Sequence, residues 1–302
     1  MSGRPDLVCV GHIVREMIYF PDRTEGPVLG SPPAYCSVAA ARQGTRTGVV
    51  TKIGPDMPDA LLAPFSEAGV DTAGILMTQR TTASELIYDP SGNKQIRYPA
   101  KAEPIRAGDI PKGWRGCGLI YVCTMDNDVM PEDVSDVVAM GKLSAVDLGG
   151  YGGVHMSKSN RDSHPSLERL ACEVSTHFDI VKASDEDAIA IFGEDTPDTS
   201  AARLLDCGPD VVVITAGSKG ALVYTKQGKD VVPPLRCNAI DTTGGGDTFM
   251  AGFLSEYLRS GDPVRSAEWG SATAACVIEK TGGVLADRMP TYERVLERWH
   301  SS

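Results

Sequence analysis

The sequence predicts an α/β protein: a doubly wound, mostly parallel sheet flanked by helices, with a small β-sheet lid. Three observations carry this. Short apolar runs with the character of buried strands alternate with helical stretches along the whole chain. Residues 84–88 and 94–98 instead alternate polar and apolar side chains around Asp89-Pro-Ser-Gly-Asn93, the signature of a hairpin outside that pattern. Gly244, Gly245, Gly246 and Asp247 lead into Phe249-Met-Ala-Gly-Phe-Leu254, a glycine loop running into a buried helix. The chain reads as one domain, 1–302, with the lid built from insertions around 16–29 and 84–101.

Each element has its own warrant. Residues 6–11, Asp-Leu-Val-Cys-Val-Gly, read as a buried first strand. Pro32 and Pro33 suit a turn and a first helical turn, and Ala34, Ser37, Ala39, Ala40 and Ala41 allow close helix packing. Residues 47–54 form a second strand, and 59–69 a helix closed by Gly69. Segment 18–28 joins the hairpin in a small sheet, with Tyr19, Phe20, Tyr88 and Tyr98 on one aromatic face. Residues 119–123 are a buried strand. Asp126 and Asp128 follow its C-terminal end, where ligands gather in open α/β sheets; Asp128 serves equally as a helix cap. Residues 144–147 are a strand ending in Gly149-Gly-Tyr-Gly-Gly153. His155 and His164 lack metal spacing and read as surface histidines. Residues 178–183 are a strand, and 184–193 a helix with Ser184 as N-cap and acids in its first turn. Residues 211–224 read as strand, glycine turn, strand. Helices follow over 248–259, 264–279 and 292–299.

The glycine loop carries the chemistry. Residues without Cβ let backbone N–H groups converge on one point. A helix N-terminus adds partial positive charge there, which makes an anion hole for a phosphate. An acid beside such a hole repels phosphate, so Asp247 is poor design for binding alone. It makes sense as a base that takes a proton from an attacking hydroxyl. The alternative is a plain glycine turn with Asp247 as a cap.

Residues 241–253 resemble the C-terminal signature of the ribokinase-like family, the phosphofructokinase-B type of carbohydrate kinases. Its pattern is Asp-Thr-Thr-Gly-Ala-Gly-Asp-x-Phe, and only Gly245 departs from it. The resemblance implies a ribokinase-like fold and an ATP-dependent transfer of the γ-phosphoryl group to a hydroxyl of a small sugar or polyol. It implies Asp247 as base and Gly244, Gly245 and Gly246 as the anion hole. Glu16 stands where the family holds substrate hydroxyls with an acid; alternatively it pairs with Arg15 on the surface. Residues 30–44 match the N-terminal signature in length and end glycines. Gly30 is kept, Ser31 replaces a glycine, and Tyr35 replaces an asparagine that reads the sugar. Tyr35 also reads as an aromatic core residue. With Asp126, these form the expected substrate set.

Ser184 and Asp187 fall on the family's Asn-x-x-Glu, which orients magnesium and its waters; capping alone also explains Ser184. Thr215, Gly217 and Gly220 resemble the nucleotide turn. Ser271 falls where the adenine pocket is lined, and equally suits helix packing. Gly282 lies in the region that shapes that pocket and a monovalent-cation loop, to which Asp241 and Thr243 belong by resemblance. The implied cofactors are ATP and Mg2+, with K+ left open, and the implied metal residues are Asp187, Asp241 and Thr243. The changed sugar-facing positions point toward an inositol or other polyol acceptor. A nucleoside stacked on Tyr35 and a catalytically silent nucleotide-binding regulator are the alternatives.

Composition sets the outer limits. The 302 residues carry a net charge of -11 with no Lys/Arg cluster, so no nucleic-acid partner is expected. No apolar run approaches a membrane span and no leader precedes the first strand, so a cytoplasmic protein is expected. The eight scattered cysteines read as buried free thiols rather than disulfides or zinc ligands. A homodimer through the lid edge stays open by resemblance.

Overall fold

The computed structural model describes residues 3–90, 94–193 and 196–301, and its strands form two sheets. In chain order the strands are β1 (Leu7–Val10), β2 (Val14–Tyr19), β3 (Thr24–Gly30), β4 (Thr47–Ile53), β5 (Asp71–Met77), β6 (Thr82–Tyr88), β7 (Lys94–Ala100), β8 (Cys117–Cys123), β9 (Gly141–Asp147), β10 (Ile180–Ser184), β11 (Val211–Thr215), β12 (Ala221–Thr225) and β13 (Gly228–Val232). The helices are α1 (Pro32–Arg42), α2 (Ala63–Ala68), α3 (Val134–Val138), α4 (Lys158–Ser163), α5 (Leu167–Ser175), α6 (Asp185–Phe192), α7 (Pro197–Asp206), α8 (Gly245–Ser260), α9 (Pro263–Ile278) and α10 (Tyr292–His300).

The large sheet has the order β13-β12-β11-β10-β9-β8-β1-β4-β5. It is parallel from β11 to β5, and the edge strands β12 and β13 are antiparallel. Period-two alternation divides its side chains between two cores. Leu7, Cys9, Leu119, Tyr121 and Val213 pack with α1 and α8 on one face. Val8, Val10, Ile120, Val122 and Val212 pack with α5 and α7 on the other. Burial on both faces is why these strands are continuous apolar runs. Helices α8 and α9 touch through small residues: a Cβ on Gly252 would stand 2.8 Å from the Thr273 Cβ and 3.0 Å from the Gly270 Cα.

The second sheet has the order β3-β2-β6-β7. Strand β6 pairs antiparallel with β7, as the alternation predicts, while β2 runs parallel to β6. Phe20 and Tyr88 stack with centroids 5.2 Å apart. The turn expected over residues 89–93 falls largely outside the described residues. Two expectations need correction. Helices α5 and α7 are absent from the sequence reading, although Ser166 and Thr196 cap them by accepting from the N–H groups of Arg169 and Thr199. They bring Cys172 and Cys207 to a Cα separation of 5.4 Å, where the two are disulfide-bonded rather than free. No described helix is long and apolar enough to cross a membrane.

Candidate active site

The C-terminal ends of the parallel strands face two clefts that meet at the start of α8. Gly244 caps that helix with φ 76°, a left-handed conformation that favours glycine, and Gly245, Gly246 and Asp247 form its first turn. Thr248 locks the turn by donating from its hydroxyl to the Gly244 carbonyl at 2.7 Å. One cleft, about 220 Å3, is lined by Glu16, Ser31, Tyr35, Lys182, Asp187 and Asp247, with Leu86, Tyr88, Ile96 and Met125 as an apolar wall. The other, about 510 Å3, is mainly apolar and includes Thr215, Gly217, Gly220, Phe249, Ser271 and Ile278. Thr242, Gly245 and Gly246 border both. Asp247 thus lines the smaller cleft and is half-buried.

Behind the first turn of α8 lies a buried charge cluster. Strand β10 presents Lys182, whose Nζ donates to Asp147 Oδ2 at 2.8 Å and lies 4.0 Å from Asp187 Oδ2. The same Nζ lies 3.5 Å from where a Cβ on Gly246 would stand, so a fixed positive charge borders this turn. Burial opposes the Lys182 charge, but Asp147 and Asp187 outweigh it and hold the ammonium above its ordinary range. Asp187 is held below the usual carboxylate range. Burial opposes this too, and Lys182, then His155, outweigh it. Ser184 and Asp187 form a capping box: the Asp187 N–H donates to Ser184 Oγ at 3.0 Å, and the Ser184 N–H reaches Asp187 Oδ2 at 2.8 Å. His155 lines the cleft beside Asp187, contrary to the surface reading given to it.

The second sheet supplies the polar end. Glu16, on β2, is 5% exposed and accepts from the Ser84 hydroxyl at 2.9 Å, so it is not a surface partner of Arg15. Gly30 makes room for it, since a Cβ there would stand 3.1 Å from Glu16 Oε1. Ser31 occupies the N-cap position of α1 at φ 95° and ψ 152°, and its buried Oγ has no hydrogen-bond partner among the described residues. Tyr35 is buried against the Gly244 backbone, and burial pushes its phenol pKa up. Both its readings hold at once: it is a core residue and a wall of the cleft. Strand β7 is tied to the loop that follows β9 by Tyr98, whose hydroxyl donates to the His155 carbonyl at 2.7 Å.

Other expected residues are not gathered here. Asp126 is 2% exposed and fully occupied by Lys101, the Ser157 N–H and Asn160, so it fixes loops rather than facing the cleft. Asp128 likewise takes the N–H groups of His12 and Met125. Gly282 borders neither cleft; its N–H donates to Asp241 Oδ2 at 3.3 Å. Asp241 Oδ1 accepts from the Thr243 N–H at 3.0 Å. Sequence reasoning missed Lys182, His155, Ser84 and Arg288. A lysine inside the apolar strand Ile180–Ser184 was the one available signal.

A family model described as "pfkB family carbohydrate kinase" matches residues 5–290. The chain belongs to this family. Among similar kinases, a cytidine kinase from Thermococcus kodakarensis is 29% identical over 287 residues, covering 92% of this chain and 97% of its own. An ATP-dependent 6-phosphofructokinase from Thermoanaerobacterium thermosaccharolyticum is 36% identical over 298 residues, covering 93% and 90%. A fructokinase from Xylella fastidiosa solved with bound ATP superposes with a TM-score of 0.82 at 21% identity, over 98% of each chain, which bears on the fold. The pfkB kinase described here is accordingly a phosphotransferase with an alcohol acceptor, a sugar or a nucleoside.

Proposed function

We propose that this kinase transfers the γ-phosphoryl group of ATP to a ribose hydroxyl of a nucleoside. The observation that carries the reading is Asp247 on the first turn of α8, at the junction of the two clefts. The larger, apolar cleft suits a nucleobase and its ribose; the shared edge at Gly245 and Gly246 suits the phosphates. In the smaller cleft, Glu16 and the unpartnered Ser31 hydroxyl are the groups for acceptor hydroxyls. Leu86, Ile96 and Met125 offer no hydrogen bonds. An inositol bears a hydroxyl on every ring carbon and would leave some unpaired against that wall, whereas a base presents a flat apolar face. The likeness to a cytidine kinase supports the same choice.

Asp247 accepts the proton of the acceptor hydroxyl as its oxygen bonds to the γ-phosphorus and the bond to the β–γ bridging oxygen breaks. The N–H groups at the start of α8 and the nearby Lys182 ammonium face the equatorial oxygens on which negative charge spreads. Asp187 already accepts from the Val154 N–H at 2.9 Å and from Ser184, and no described group of three acidic, His or Cys side chains could hold a metal. This fits a Mg2+ carried by the nucleotide, with Asp187 meeting its water shell. When bound, Mg2+ would neutralise phosphate charge.

The test is ADP release with a panel of nucleosides, pentoses, hexoses and inositols. The highest kcat/KM is expected for a nucleoside. A higher value for a free sugar or an inositol would overturn the acceptor assignment. ATP binding without ADP release for any acceptor would indicate a silent regulator.

A further inference from the structure

The resemblance places Asp241 and Thr243 in a monovalent-cation loop, but the residues present do not fit such an ion. The space between these residues and the 280–283 turn holds the guanidinium of Arg288, which is 2% exposed. Its Nε donates to the Lys280 carbonyl at 3.1 Å. Its Nη1 donates to the Gly282 and Gly283 carbonyls and approaches the Tyr35 hydroxyl at 3.5 Å. Its Nη2 donates to the Thr243 carbonyl at 3.2 Å, the Asp241 carbonyl at 3.3 Å and Asp241 Oδ2 at 3.5 Å. Carbonyl oxygens of two segments and one carboxylate thus converge on one fixed positive charge, the ligand set that a bare monovalent ion would otherwise need. Guanidinium has donors on all three nitrogens and no acceptor, so it satisfies such a cage without water. A second cation there would meet the like charge of a guanidinium already seated among those oxygens.

We propose that Arg288 is a built-in monovalent cation, and that this kinase neither binds nor requires K+. Arg288 acts as a positioning residue. It ties the 280–283 turn to Asp241 and Thr243, and Thr243 leads directly into Gly244 and the anion hole. The same guanidinium braces Tyr35, the cleft wall that lies on Gly244. The charge that an added ion would supply to order this loop is covalently attached here and cannot be diluted away.

The activity arm of the test rests on the kinase reading; the binding arm does not. Wild-type protein is compared in KCl, LiCl and N-methyl-D-glucamine chloride at one ionic strength, by kcat and KM and separately by thermal unfolding. A site filled well above its Kd raises stability by mass action, so kcat within about twofold and superimposable unfolding curves across the salts are expected. K+-specific activation beyond about fivefold, or K+-specific stabilisation, would overturn the proposal. If no acceptor is found, the unfolding arm still decides. In Arg288→Ala the cage loses its charge. About tenfold loss of kcat is expected in N-methyl-D-glucamine, with recovery on adding K+ or millimolar methylguanidinium, and Arg288→Lys keeping most activity. A folded Arg288→Ala with unchanged kcat, or one that neither ion restores, would refute the positioning role. If Arg288→Ala does not fold, Arg288→Lys and the wild-type salt series carry the decision.

Discussion

Replacing Ser31 by glycine should move stability and acceptor binding in opposite directions. Ser31 sits at φ 95° and ψ 152°, a region that essentially only glycine populates. Holding another residue there costs about 1–3 kcal/mol. Glycine takes back about 0.4–1 kcal/mol through the greater freedom of the unfolded chain. The buried Ser31 Oγ has no partner among the described residues, so deleting it removes no hydrogen bond among them. The net expectation runs from about zero to a gain of about 2.6 kcal/mol, centred near about 1.3. At about 2.1 cal/mol/K per residue, 302 residues turn each kcal/mol into about 1.6 °C, so Tm should rise by about 2 °C and by no more than about 4 °C. Ser31 lines the acceptor cleft, and the same change removes its hydroxyl from that wall. One neutral hydrogen bond contributes about 0.5–1.5 kcal/mol, so the acceptor KM should rise about 2- to 10-fold with the ATP KM unchanged. Differential scanning calorimetry and steady-state kinetics on the same preparation read both. A lower Tm would refute the strain argument; an unchanged acceptor KM would remove Ser31 from the substrate set.

Gly244→Ala should destabilise by about 2–5 kcal/mol, combining a left-handed backbone with overpacking, because its Cβ would stand 2.6 Å from Tyr35 Cδ1. In a double-mutant cycle with Tyr35→Ala, the overpacking share, about 1–3 kcal/mol, should disappear; strict additivity would show that the ring is not the obstacle. Glu16→Gln should raise the acceptor KM about 10- to 100-fold while leaving ATP binding intact, as for loss of a charge-assisted hydrogen bond; an equal effect on both substrates would mean a structural role. Asp187 has its carboxyl pKa lowered from 3.8, so its stabilisation is present above that unfolded value and fades as pH falls through the folded one. Asp187→Asn should therefore lose about 1–3 kcal/mol in urea unfolding at neutral pH and converge with wild type in acid. A gap that widens in acid would reverse the assigned sign.

Legibility in the sequence followed distance along the chain. The proposed anion hole and base lie within residues 244–247, where a glycine run and an acid are read together. The parallel strands were visible because burial on both faces makes them uniformly apolar. The lid hairpin was visible because its faces differ. Helices α5 and α7 were missed because they are short and partly polar, and nothing in the spacing of Cys172 and Cys207 marks them as paired. Asp126 looked functional from its position after β8, but Lys101 and Asn160, brought in by folding, occupy its carboxylate. Arg288 was illegible for the same reason. Its cage comes from residues up to 47 positions away, and only the tertiary structure shows that a surface-type residue lies buried among carbonyls.

The most direct test of the base assignment is Asp247→Asn, which keeps the shape of the helix start and removes the proton acceptor. Binding of a non-hydrolysable ATP analogue should match wild type by calorimetry, while kcat for the best acceptor falls about 100- to 10,000-fold. A variant that binds the analogue normally and turns over within about tenfold of wild type would contradict the assignment.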